Sequence, residues 1–85
     1  MQYQNDLEIA LNNLRDLLQR RSSIVADSEL LARDPEEHLR QLKTVSQRLF
    51  DAHKHQAKLL PSRLNHFLDS GSYGKALGHI NAMLS

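Results

Sequence analysis

The chain has no cysteine and no tryptophan, and only two prolines and three glycines among 85 residues. Without cysteine there is no disulfide staple and no cysteine-ligated zinc. Such a chain fits a reducing compartment, and a cytoplasmic protein is expected. No apolar run approaches the roughly 18 residues that a membrane-spanning helix needs. The opening "MQYQNDLEIA" has no basic region followed by an apolar stretch, so no signal peptide is expected there. Charge of one sign is missing too. Eleven basic and ten acidic residues leave a net +1, which names no partner. The local split is mild: −2 over residues 1–34, +2 over 35–60 and +1 over 61–85.

What remains is helical material. Residues 1–60 hold one proline and no glycine, and Leu, Gln, Arg, Glu and Ala outnumber β-branched residues. No segment alternates apolar and polar residues over strand length. The composition predicts an all-α fold in one domain, residues 1–85. The expected architecture is a small bundle of two long antiparallel helices plus a short C-terminal helix pair. At this length a core is possible but thin, about 60% of the unfolded surface.

The first helix is expected to start at Asn5, with Glu8 three residues on as in a capping box. Leu7, Ala10, Leu11, Leu14, Leu17 and Leu18 then share one face, and Asp16–Arg20 is a favourable i,i+4 pair. Leu30 and Leu31 rotate away from that face. A break near Ser22–Asp27 and a short turn at Ser28–Arg33 follow from this, with one unbroken helix through Arg33 as the alternative. "RDPEEHLRQL" is the strongest local signal. Asp34 caps, Pro35 fits the first helical position, and Glu36 and Glu37 face the positive helix end. This helix is expected to reach about Leu59, with Leu39, Leu42, Val45, Leu49, Ala52 or His53, Gln56 and Leu60 inward and Phe50 to one side. Pro61 stops it. A short helix, Ser62–Asp69, turns Leu64, Phe67 and Leu68 inward. "SGS" breaks it, and Ser72 caps a last helix, Tyr73–Leu84.

"DSGSYGKALGHI" holds all three glycines, and Gly74-Lys75 resembles the end of a phosphate-binding loop. A Walker A loop needs a glycine where Asp69 stands and a Ser or Thr where Ala76 stands, after a strand. "GSYG" matches the GXXG of a KH module, which needs strands this chain lacks. A helix-ending glycine followed by a new helix accounts for the stretch. Gly74 and Gly78, one turn apart, are expected to admit a second helix at close range.

No catalytic residue, cofactor site or metal site is predicted. His38, His53, His55, His66 and His79 lack the i,i+3 or i,i+4 spacing of a helical metal pair. His53 is expected at the core edge, bonded to a neighbour, with a pH-sensitive packing role as the sharper reading. Asp51–His55 is expected as a surface contact. The paired acids Glu36-Glu37 belong to a helix start. Arg40, Lys43, Lys54 and Lys58 fall within about 60° of one another on the second long helix, a basic stripe opposite its apolar face. Its ordinary role is a solvated face, and its functional one a nucleic-acid contact. Tyr73, Leu77, Ile80, Met83 and Leu84 make the last helix amphipathic. That face either docks on its own domain or meets a partner. The leading expectation is a non-enzymatic helical interaction protein: an adaptor, chaperone-like subunit or regulator, with a protein partner that is itself or another. A nucleic-acid-associated protein is the alternative, and nucleic acid and membrane are both disfavoured as partners. The limited apolar supply favours a symmetric homodimer, unless the short pair folds back fully and closes a monomer.

Overall fold

The computed structural model describes residues 2–85, with side chains from residue 6 onward. The described residues are 89% helical and contain no strand. Helix α1 spans Gln2–Val25, α2 Ser28–Arg33, α3 Pro35–Gln56, α4 Ser62–Asp69 and α5 Tyr73–Leu84. A 3-10 turn, Ala57–Leu59, closes α3. Helix α1 packs mainly against α3 and then α5, α2 packs on α3, and α4 packs on α5.

The joint between α1 and α3 falls where the leucine phase shifts. Helix α1 ends at Val25, and Asp27 then caps α2 by accepting from the Leu30 N–H at 3.0 Å. Asp34 repeats the device for α3, accepting from the Glu37 N–H at 3.1 Å, with Pro35 at the helix start. The amino end of α1 differs from expectation. The helix is already formed at Gln2, so Asn5 lies inside it rather than at its cap, and the side chain of Asn5 lies outside the described residues. Gln-Tyr-Gln carries no residue that breaks a helix, so nothing delays the start to Asn5.

The core is a leucine-rich seam. Ala10, Leu11, Leu14, Leu17 and Leu18 of α1 bury against Val45 and Leu49 of α3, Leu64 and Leu68 of α4, and Ala76 and Ile80 of α5. Leu39 is not part of it, being 50% exposed, and His38 is buried instead. The phase explains the exchange. His38 precedes Val45 by seven residues, about 20° from two full turns, while Leu39 precedes it by six and stands about 120° away. Phe50 does lie to one side, at 62% exposed. Phe67 is only half-buried, its ring edge-on to His79 with centroids 6.1 Å apart.

Two corners set the carboxyl-terminal half. Before Pro61, α3 tightens into its 3-10 turn and Leu60 becomes extended, at φ −92° and ψ 147°. The ring of a following proline demands that conformation. At the second corner the Ser72 N–H reaches the Phe67 carbonyl at 2.8 Å, and the Gly71 N–H reaches Leu68 at 3.3 Å. These bonds form a Schellman end to α4, with Gly71 left-handed at φ +73°. Glycine supplies that conformation without strain. Ser72 starts α5 as expected but does not cap it through its side chain, which meets the Ser70 hydroxyl at 3.1 Å.

The molecule measures 47 × 22 × 22 Å, with a radius of gyration of 13.8 Å. A compact chain of this length would have about 12 Å. Its accessible area of 5928 Å² also exceeds the roughly 5,100 Å² of an average monomer of this mass. The excess has a simple origin. Helix α5 is half as long as α1, about 18 Å against 36 Å, and cannot cover its full length.

Candidate functional site

Three surface features could meet another molecule. The first is a groove of about 520 Å³ between the two long helices. Asp16, Gln19, Arg20, Ser23 and Ile24 form its α1 wall, and Glu37, Arg40, Gln41, Thr44, Val45 and Arg48 its α3 wall. The half-buried Ile24 gives it apolar surface above Val45, which at 5% exposed forms the floor; the remaining lining side chains are polar or charged. The charges are paired along each helix, not across the groove. Arg20 meets Asp16 at 3.2 Å and Arg40 meets Glu37 at 3.0 Å. Arg48 has no ion-pair partner among the described residues. Exposed pairs of this type contribute little to stability, so they neither close the groove nor lock its walls together.

The second feature centres on Tyr73 at the start of α5. A cleft of about 170 Å³ lies between it and Phe50, His53, Leu68 and Asp69, with Leu49 beneath. A second, of about 140 Å³, lies toward Leu18, Arg21, Ser22 and Val25 of α1, with Gly74 and Leu77 beside it. Tyr73 is the wall common to both. The Arg21 guanidinium sits 4.5 Å above its ring, a cation–π contact. Arg21 Nε is buried without a hydrogen-bond partner among the described residues. Phe50 and Val25, both more than half exposed, leave apolar edges on the two clefts.

The third is the basic stripe. Arg40, Lys43, Lys54 and Lys58 are all exposed. Arg40 is engaged by Glu37, and Lys58 falls in the 3-10 turn, outside the α-helical register that aligned it with Lys54. Asp51, between the two ends of the stripe, accepts from Gln47 at 3.0 Å rather than meeting His55.

The residues expected to bind a partner separate by burial. Ile80 has no exposed surface and belongs to the core. Tyr73, Leu77, Met83 and Leu84 are half-buried and pack against that core. The last helix thus docks on its own domain, leaving only the outer edges of these side chains accessible. Gly74 and Gly78 face open space, with no atom within 4 Å of where a Cβ would stand. Among the described residues, no other helix makes the close approach expected at them.

Two of the five histidines, His38 and His53, tie elements together. His53, at the edge of the core, donates its Nε2–H to Asn65 Oδ1 at 2.8 Å. The direction follows from Asn65, whose amide nitrogen donates to the Ala57 and Leu60 carbonyls at 2.9 and 3.3 Å. Its oxygen must therefore accept. The other ring nitrogen of His53 stands 3.8 Å from Asp69, an ion pair only when the ring is doubly protonated. His38 donates its Nε2–H to the Ile24 carbonyl at 2.8 Å, a second bond to a carbonyl at the end of α1 that also accepts from the Asp27 N–H at 3.1 Å. Helical phase relative to Val45 and Leu49 could have identified His38. No group of three or more metal-ligating side chains occurs among the described residues, and no helix among them is long and apolar enough to cross a membrane. In comparisons with family models, curated proteins and solved structures, nothing matched this chain.

Proposed function

We propose that the protein is a non-enzymatic helical protein–protein interaction module, an adaptor, chaperone-like subunit or regulator working in the cytoplasm. In this reading α1 and α3 form an antiparallel pair that α4 and α5 cover on one side. The observation that carries it is the groove between α1 and α3, which has apolar surface and no charge pair across it. Exposed apolar side chains on the same molecule, Phe50 and Leu39 among them, add surface of the kind partners cover.

Affinity capture from the source cell, repeated with Ser23→Trp and with Phe50→Glu, tests the reading. Loss of a captured protein with either variant, at unchanged circular dichroism, supports it. Capture indifferent to both variants counts against it. A homodimer is one form of the proposal, and light scattering reads it directly: a mass held at 9.7 kDa at every concentration removes it. Nucleic-acid binding ranks second, because the exposed Lys43 and Lys54 would have to act largely without Arg40 and Lys58. Failure to retain random DNA or RNA at low salt eliminates that alternative.

A further inference from the structure

We infer that the α1–α3 groove binds an acidic amphipathic helix supplied by a different protein. The inference rests on the interaction-module reading and names the site and the chemistry of the partner. Length comes first. The α1 wall runs from Asp16 to Ile24 and the α3 wall from Glu37 to Arg48, roughly 12 and 16 Å of helix. Three turns of a guest helix span that distance, presenting anchors at i, i+3 or i+4, and i+7. The half-buried Ile24, with the Thr44 methyl and the aliphatic stems of the lining arginines over the buried Val45, offers such anchors apolar surface.

Charge decides which helix. Arg20, Arg40 and Arg48 line the groove against two carboxylates, and each carboxylate is engaged by an arginine of its own helix. The lining is therefore net positive, and the Arg48 fork is free for a carboxylate from outside. A basic guest would meet Arg48 as a like charge. A symmetric second copy, groove against groove, would bring the same net-positive lining, and α5, the most apolar helix of this chain, is already docked on its own core. The occupant is accordingly another protein, whose helix carries glutamates or aspartates beside its apolar anchors. Complementary charge of this kind raises association rates as well as selectivity.

Two synthetic helical peptides of 18 residues test this, identical in their leucine face, one with glutamate flanks and one with lysine flanks. Fluorescence anisotropy at low salt should show saturable binding of the glutamate peptide, about tenfold tighter than its lysine twin. That is the scale of one hydrogen bond to a charged group. Arg48→Glu should reverse the preference. Ser23→Trp, filling the groove from an exposed wall position, should abolish binding, and Gln41→Trp does the same from the opposite wall if the first variant fails to fold. Equal binding of the two peptides, or binding that survives both tryptophan variants, overturns the proposal. A Ser23→Trp variant that turns a dimer into a monomer overturns it in favour of a second copy. If neither peptide binds while cellular capture stays sensitive to Phe50→Glu, the groove is wrong and the interaction-module reading stands.

Discussion

Asn65 offers the sharpest test of how the long helix is turned into the short pair. Its side chain makes three hydrogen bonds, one from His53 and two to the Ala57 and Leu60 carbonyls, all in part-buried surroundings. Asn65→Ala removes every one. A net hydrogen bond contributes about 1 kcal/mol, and a buried group left unpaired costs about 1–3 kcal/mol. The 3.3 Å bond to Leu60 is the weakest, and water can reach part of this site. We therefore expect a loss of about 2–4 kcal/mol. Against a total of roughly 4–13 kcal/mol for a domain of this size, that is a large fraction. Urea unfolding followed by circular dichroism reads it as a drop in midpoint at unchanged slope. A loss below about 0.5 kcal/mol would refute the reasoning, because it would mean the clasp is not formed.

The near-isosteric Asn65→Asp sharpens the test. It keeps an acceptor for His53 but sets a carboxylate oxygen against two carbonyl oxygens. The folded state then favours the protonated carboxyl, which can donate to one of them. A carboxyl pKa raised by folding adds stability as pH falls through that raised value. The Asp variant should therefore be weaker than wild type at neutral pH and recover part of the deficit on acidification. A deficit that grows on acidification, beyond what wild type shows, would contradict the donor assignment.

Other positions bear on separate parts of the structure. Leu64→Ala, at a side chain with no exposed surface, should cost about 2–5 kcal/mol by urea unfolding, and a cost under about 0.5 kcal/mol would contradict the core. Asp34→Ala should cost about 1 kcal/mol, and an unchanged midpoint would deny the cap to α3. Gly71→Ala should cost about 1–2 kcal/mol because Gly71 is left-handed, whereas Gly78→Ala, mid-helix with open space beside it, should add about 0.5–1 kcal/mol. If Gly78→Ala destabilises the protein instead, something outside the described contacts packs there.

Elements were legible where a local device fixes them. Asp34-Pro35, Pro61 and the "SGS" corner each specify a backbone geometry without help from distant residues, and α2, α4 and α5 begin and end where the sequence places them. The helical character of the chain and its leucine seam were legible for the same reason, since a period of 3.6 residues is a local property. Rotation was harder to read. Over 22 residues the buried stripe of α3 is narrow, and Leu39 sits at its border by periodicity but beyond it in space. His38 falls in that stripe by phase, and what its burial needs besides is a partner for its ring N–H, the carbonyl at the end of α1, which periodicity alone does not reveal. The groove was invisible for a related cause. Its walls come from two helices joined through α2, and it exists because no other helix of this chain fills the space between them.

That geometry also says where stability and recognition are kept apart. The buried seam engages α4 and α5 through Leu64, Leu68, Ala76 and Ile80, and the Asn65 clasp fixes how α4 leaves α3. The groove draws on the opposite kind of residue: exposed arginines, the exposed Asp16 and the partly buried Glu37, with Val45 the only member of the buried core cluster among its lining. Its charges can change with little effect on the core, since exposed ion pairs contribute at most about 1 kcal/mol. Arg48 can therefore be inverted while Leu14, Leu64 and Ile80 hold the helices in place. The apolar edges around Tyr73 do not share this independence. Tyr73 and Leu77 pack on the core while lining the clefts, so a substitution there perturbs both the fold and any contact made with it. A binding defect from Tyr73 variants is therefore informative only beside an unfolding curve, whereas one from Arg48 variants can be read directly.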